Sequence, residues 1–529
     1  MRKMKKLASL LLAMIMVFAM SATAFAADET YSITINNSKS GHTYEAYQIF
    51  TGDLSIENET KVLSNIAWGS GITDAGKSAL LQFGKAAGET PFASPAKLAE
   101  TLTDTNAVAF ANEAAKYLNT VAGTLTYSEN KYVISGLTAG YYLVKDKNDS
   151  LDGVNDSYTN YIIKVVGDAT ASPKGSIPTV EKKVKEDDKD VDGNTDERIP
   201  GYNVGEDYND VADYNIGEAV PFKLIGTLPS NYADYATYKY IFHDTLSAGL
   251  SYNGDATVYV DNGNGLTPIQ EEGNYVISTD GSTLTITFAN LKQVTSVTKD
   301  SKIVVMYTAK LTTEAVIGLE GNENKVRLEF SNNPNADGSG DTGKTPEDKV
   351  IVFTYELDVT KVDGETKTHT LQGAEFKLLN KDKQEAVFDQ NGFVKWDTEG
   401  TTFTSGEDGK FVIKGLDAGT YYLKETKAPV GYNLLEKPVK LVITANTVNN
   451  QAWGGTPSAA LTALTISVDD GEAKAGNLTD GIVSITVENN KGATLPSTGG
   501  MGTTLFYVAG LAMMITAAGA FVARRRIAF

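Results

Sequence analysis

The sequence predicts an all-β protein, a tandem array of β-sandwich domains strung between two apolar ends. Thr, Val, Ile, Tyr and Gly dominate its interior in short alternating apolar and polar stretches, the period of half-buried strands. Asn-Gly, Asp-Gly and Gly-Asn pairs punctuate these stretches as turns. Between the two ends, one stretch alone, 94–118, reads as helical.

Length and composition narrow the possibilities. A chain of 529 residues has room for two or more domains. Its 47 Lys+Arg against 66 Asp+Glu give a formal net charge of -19, which argues against nucleic acid as a partner. Cysteine is absent, so an exported form has to resist proteolysis and force without disulfides. His42, His243 and His369 lie far apart and suggest no zinc site, and no cofactor is expected.

In chain order, Arg2, Lys3, Lys5 and Lys6 precede an apolar stretch, 7–20, that leads into Ala24-Phe25-Ala26. This is the pattern of a secretory signal peptide, residues 1–26. The first β block, 27–172, carries the helical stretch, expected to cover one edge of its first sheet. The second, 173–352, opens at Pro173 and Pro178 and has an Asn/Asp/Gly/Pro-rich stretch, 331–348, near its end. The third is 353–493. The tail, 494–529, holds Leu495, Pro496, Ser497, Thr498 and Gly499, then apolar residues 505–523 and Arg524-Arg525-Arg526. That apolar run is long enough to cross a bilayer as a helix, with the arginines held on the cytoplasmic side.

Blocks one and three share an echo, "KYVISGLTAGYYLVKD" from Lys131 and "KFVIKGLDAGTYYLKET" from Lys410, expected to be the same strand, turn and strand. Strand parity then singles out polar residues that face inward. Lys361 is in phase with Leu357 and Val359, Glu425 with Tyr421 and Leu423, and Asn489 with Val483, Ile485 and Val487. Asn490 points out, a choice that one step of register near the strand end reverses. In block two, Lys182 is in phase with Val180 and Val184, Asp244 with Tyr240 and Phe242, and Asn324 with Val326, Leu328 and Phe330. In block one, aligning the Tyr-Tyr-Leu runs puts Lys145 opposite Glu425 with Asp146 shifted by one, and no inward Lys and Asn accompany it.

The LPSTG, helix and arginine order resembles the cell-wall sorting signal of Gram-positive surface proteins, which implies sortase cleavage between Thr498 and Gly499. The residues from Tyr421 to Tyr432 resemble the E-box of the Cna-B-like domains of Gram-positive pilins. That resemblance implies immunoglobulin-like, Cna-type sandwiches in an elongated array. It also implies that Glu425 assists a spontaneous amide bond between Lys361 and Asn489. The middle block is similar to the middle domains of backbone pilins, which implies the same for Asp244 with Lys182 and Asn324. Such bonds would tie first to last strand within a domain, taking the place of disulfides. Burial suits the chemistry: a Lys among apolar side chains loses its proton and becomes a nucleophile, and a nearby carboxyl group shuttles the proton as ammonia leaves. The plainer reading is a buried ion pair that never reacts.

Pro173-Lys174 falls where pilins carry a Val-Tyr-Pro-Lys motif, although Ser172 stands in place of Tyr and the upstream Trp is missing. The whole order resembles a SpaA-type major backbone pilin, with Thr498 of one subunit joined to Lys174 of the next. Implied partners are a sortase, identical subunits in a head-to-tail polymer, tip and basal pilins, peptidoglycan and a host surface ligand. The chain would be no enzyme, only a sortase substrate with single-turnover chemistry on itself. The alternative is a wall-anchored adhesin, binding a host matrix protein or glycan, that never polymerises. Asp190 to Glu197 has alternating oxygen ligands, but a solvated acidic loop is favoured over calcium.

Overall fold

The computed structural model describes residues 29–492 and 502–526, apart from 58, 59, 104, 174, 187–207, 335–339, 391, 448–452 and 454. Within them lie three successive pairs of sheets. In the first pair, strands Thr124–Ser128, Lys131–Leu137, Tyr31–Ile35 and Ala169–Ala171 form one sheet. Thr60–Trp68, Tyr44–Glu57, Gly140–Asp146 and Asn160–Val165 form the other. Ile33, Ile35, Ala46, Ile134 and Val144 fill the space between them.

The helical region differs from expectation in extent and in place. It is three short helices, Asp74–Leu80, Pro95–Ala99 and Ala107–Ala114, so it begins upstream of residue 94. Local chemistry sets the starts: the Thr73 hydroxyl accepts from the Gly76 N–H, and the Ser94 hydroxyl accepts from the Lys97 N–H with Pro95 in the first turn. The helices cover a face of the second sheet, not an edge. Leu80, Leu98, Phe110 and Ala114 pack on Ile49, Phe50, Tyr141 and Leu143, the side turned away from the first sheet. Strand Gly140–Asp146 is therefore buried on both faces and carries an unbroken apolar run.

The middle pair has seven strands in each sheet, and the last pair has three and eight. Neighbouring domains grip one another by backbone. The Tyr158 N–H donates to the Asn332 carbonyl at 2.8 Å and the Gly153 N–H to the Thr342 carbonyl at 2.6 Å, joining the first domain to the middle one. On the other side, Ile216 N–H donates to Gly415 O at 2.9 Å and Phe393 N–H to Ile216 O at 2.7 Å. Gly217, at φ +107°, permits this approach, since a Cβ there would lie 1.8 Å from the Phe393 carbonyl oxygen. Val211, Ile351 and Phe353 belong to the apolar cluster of the last domain, so the join between these two domains is packed.

The first domain buries an ionisable cluster. His42, 6% exposed, places Nδ1 2.7 Å from Asp146 Oδ1 and Nε2 3.3 Å from Asp156 Oδ2, while its ring stacks on Tyr44. Burial alone pushes His42 down, but the hydrogen bonds and charges of the two carboxylates outweigh it and hold the ring up at about 9. A folded pKa above the unfolded 6.5 stabilises the domain fully below pH 6.5, and the contribution fades as pH climbs through about 9. Urea unfolding of the first domain should therefore lose on the order of 1–3 kcal/mol across that window. His42→Gln should flatten the pH profile there; an unchanged slope in the variant would refute the assignment.

Candidate functional site

Each of the last two domains encloses a lysine, an acid and an asparagine. In the third domain, Lys361 lies on strand Tyr355–Asp363, which pairs in parallel with Ile482–Asn489 in the register Lys361 to Val487. Asn489, two residues on, faces the same side. Lys361 is 0% and Asn489 1% exposed, whereas Asn490 is exposed. Lys361 Nζ donates to Asn489 Oδ1 at 2.5 Å and to the Val487 carbonyl at 3.0 Å. Glu425, from Gly419–Lys427 in the facing sheet, accepts both ways from Asn489 Nδ2, at 2.9 and 3.0 Å, and its Oε1 stands 3.9 Å from Lys361 Nζ. Two backbone groups in the loop after the acid complete the site, the Asn433 carbonyl accepting from Asn489 Nδ2 at 3.0 Å and the Leu435 N–H donating to Glu425 at 2.9 Å. Burial brings Lys361 down to about 8, against the pull of Glu425 and Glu488. A far larger fraction of the amine is thus neutral near physiological pH than for an exposed lysine, beside an amide whose nitrogen is held by an acid.

In the middle domain Lys182, Asp244 and Asn324 are all fully buried. Lys182 sits on Val180–Lys185 in one sheet, while Asp244 and Asn324 sit on adjacent strands of the other, Tyr240–Leu246 and Asn322–Ser331. A link from Lys182 to Asn324 would span the two sheets. It would not reach the last strand, which is Asp348–Phe353, so the expectation of a first-to-last tie fails here. The reason is topological: the last strand lies outside Asn322–Ser331 in the same sheet, and it is this inner neighbour that carries Asn324. Lys182 Nζ contacts Asp244 Oδ2 and donates to the Tyr307 hydroxyl at 3.0 Å. Burial pushes Lys182 down and Asp244 up, which favours the neutral pair. Lys183, on the opposite face, is also buried and pairs with Asp210 at 2.5 Å.

Sequence parity overlooked Tyr307, although in "KIVVMYTAKL" it keeps step with inward-facing Ile303, Val305, Ala309 and Leu311. It also set the first domain one residue out. The structure aligns the two echoes from their glycines: Gly136 and Gly415 both have positive φ, and Tyr142 and Tyr421 each donate to the carbonyl four residues back. Each echo is a corner that crosses from one sheet to the other. In this register Asp146, not Lys145, corresponds to Glu425. Counting from the glycine would have found it, because the Tyr-Tyr pair itself is shifted between the echoes. The positions matching Lys361 and Asn489 through the strand pairings hold Asn37 and Gly175, and Asp146 serves His42 instead.

Residues 1–26, Lys174, the Leu495 to Gly499 motif and the Asp190 to Glu197 loop lie outside the described residues. Of the connector around Lys174, Ser172 and Gly175 are exposed. Past the motif, Gly502–Arg526 is one helix whose segment Leu505–Arg525 has a mean hydropathy of 2.0 and no burial, apolar enough to span a bilayer. Among the described residues no group of His, Asp and Glu is disposed to hold a metal.

Three families match successive parts of the chain. They are the Gram-positive pilin backbone subunit 2, Cna-B-like domain at residues 216–334, the SpaA prealbumin-like fold domain at 355–456 and the LPXTG cell wall anchor motif at 487–528. The trypsin-resistant surface T6 protein of Streptococcus pyogenes serotype M6 is 24% identical, over 95% of this chain and 96% of that protein. The T6 backbone pilin of serotype M6 Streptococcus pyogenes, a modular three-domain structure, superposes with a TM-score of 0.52 at 19% identity, covering 89% of this chain and all of that one. A group B streptococcus pilus 2b backbone protein is 30% identical, covering 54% of this chain and 97% of that one, with a TM-score of 0.40. With the pilin-backbone domain, the SpaA domain and the wall anchor following one another along a single chain, the protein belongs to the backbone pilins of Gram-positive bacteria and is anchored at the cell wall.

Proposed function

We propose that this chain is the polymerising shaft subunit of a covalent pilus, cut by a sortase at Thr498-Gly499 and joined through Thr498 to Lys174 of the next copy. The helix Leu505–Arg525 holds the uncut chain in the membrane beside the enzyme. The wall, tip and basal pilins and a host surface ligand complete its partners, and its own chemistry is limited to one turnover in each of two domains.

The observation that carries this reading is the third-domain cluster, in which Lys361 Nζ and Asn489 Oδ1 are 2.5 Å apart with both side chains buried. Neutral Lys361 attacks the Asn489 amide carbon, Glu425 takes the surplus proton from Nζ and delivers one to Nδ2, and the Cγ–Nδ2 bond breaks so that the nitrogen leaves as ammonia. Two buried ionisable groups become one neutral amide and one lone acid held by Leu435 N–H, which removes part of the cost of burial. Lys182 and Asn324 with Asp244 form the second such site. Each bond closes a long loop, Lys361 and Asn489 being 128 positions apart, and does for this cysteine-free chain what a disulfide does elsewhere.

Two outcomes follow. Wall extracts should contain a ladder of SDS-resistant polymers that disappears in Lys174→Ala and in Thr498→Ala; monomer alone in the wild type would favour the non-polymerising adhesin. In a slowed Glu425→Asp variant, the third-domain amide should form faster as pH rises toward about 8, where Lys361 loses its proton, and level off above it. A rate indifferent to pH over that range would argue against a neutral lysine nucleophile.

A further inference from the structure

The two clusters differ in how the acid meets the amide. In the third domain Glu425 accepts directly from Asn489 Nδ2. In the middle domain the acid is one methylene shorter, and among the described residues Asp244 has no hydrogen bond to Asn324. The Tyr307 hydroxyl stands between them. It donates to Asp244 Oδ1 at 2.9 Å, accepts from Asn324 Nδ2 at 2.7 Å and accepts from Lys182 Nζ at 3.0 Å. The ring is fixed by stacking on Phe222, centroids 5.4 Å apart, and by a T-shaped contact with Tyr252 at 5.7 Å. This hydroxyl is buried and touches both nitrogens whose bonds change, Lys182 Nζ and Asn324 Nδ2.

We propose that Tyr307 is a fourth catalytic residue of the middle domain, relaying the proton from Asp244 to the departing nitrogen of Asn324. The inference rests on the reading that Lys182 and Asn324 become linked. The step balances without any added reactant. Lys182 Nζ attacks Asn324 Cγ, and its surplus proton passes to the Asp244 carboxyl oxygen it already touches. The carboxyl proton moves to the Tyr307 oxygen as the phenolic proton moves to Asn324 Nδ2. The Cγ–Nδ2 bond breaks, ammonia departs, and both Tyr307 and Asp244 return to their starting forms. Tyr307 thus supplies the reach that Glu425 has by its longer side chain, which explains how an Asp serves in one domain and a Glu in the other. The phenol stays neutral throughout, as its setting requires: burial and the Asp244 charge keep Tyr307 well above the ordinary tyrosine range.

The test is the rate at which the mature chain, residues 27–498, loses ammonia during cell-free synthesis, read by quenched intact mass and located by peptide mapping. The third-domain bond serves as an internal control for folding and timing. Tyr307→Phe keeps the ring and its packing, and it should slow the middle-domain loss on the order of a hundredfold or more. Combining Tyr307→Phe with Asp244→Glu should recover most of the rate, because the longer acid reaches Asn324 as Glu425 reaches Asn489. A middle-domain bond formed at the wild-type rate in Tyr307→Phe overturns the relay. So does a slow Tyr307→Phe that Asp244→Glu leaves slow, which would confine Tyr307 to packing. A wild-type chain that loses ammonia only in the third domain overturns the underlying linkage itself, and is distinguished by the wild-type trace alone.

Discussion

The structure turns on the cost of placing a lysine amine where no water reaches it. Lys182 and Lys361 are both enclosed among strands, and an isolated buried ammonium is too expensive to persist. Lys361 is therefore met by the side-chain amide of Asn489 with Glu425 behind it, and Lys182 by Asp244 and by the Tyr307 hydroxyl that also holds the Asn324 amide. Everything about the surrounding sandwich serves that meeting: parallel pairing sets Lys361 and Asn489 on one side of adjacent strands, and the corner at Gly415 turns the chain so that Glu425 closes over them from the facing sheet. In the first domain the same corner delivers Asp146 inward, but the partner there is a histidine, and the charge is balanced by ionic hydrogen bonds instead.

The positions of the two clusters bear on how a shaft carries load. In the third domain the first and last strands run side by side and in parallel, so tension applied at the two ends of that domain would shear them past each other. A bond between Lys361 and Asn489 lies across that line. In the middle domain Lys182 and Asn324 lie in different sheets, so a bond there resists separation of the sandwich halves. The backbone contacts at Ile216 with Gly415 and Phe393, and at Tyr158 with Asn332, couple neighbouring domains.

Much of this was legible in the sequence because strands obey a period of two. Alternation put Lys182, Asp244, Asn324, Lys361, Glu425 and Asn489 on inward faces, and each of them is buried, although neighbours on the opposite face such as Lys183 are buried too. What parity cannot give is which sheet a strand joins. The middle-domain lysine and asparagine fall in different sheets, and the helices cover a face where an edge was expected, because both depend on pairings made far along the chain. Tyr307 was hidden for another reason: its parity was plain, but an inward tyrosine is ordinary core until a buried acid and amide are found beside its hydroxyl. The first-domain register was lost to a one-residue shift of the Tyr-Tyr pair, which backbone conformation at Gly136 and Gly415 resolves.

On the proposed chemistry, proximity in these cores becomes a covalent bond. Peptide mapping of pilin released from the native cell wall tests it most directly, with fragmentation to identify any branched peptide. The account predicts one branched species joining the Lys361 and Asn489 peptides and another joining those of Lys182 and Asn324, each lighter than the sum of its parts by one ammonia. Four linear peptides at their sequence masses would contradict it and leave the clusters as buried polar contacts only.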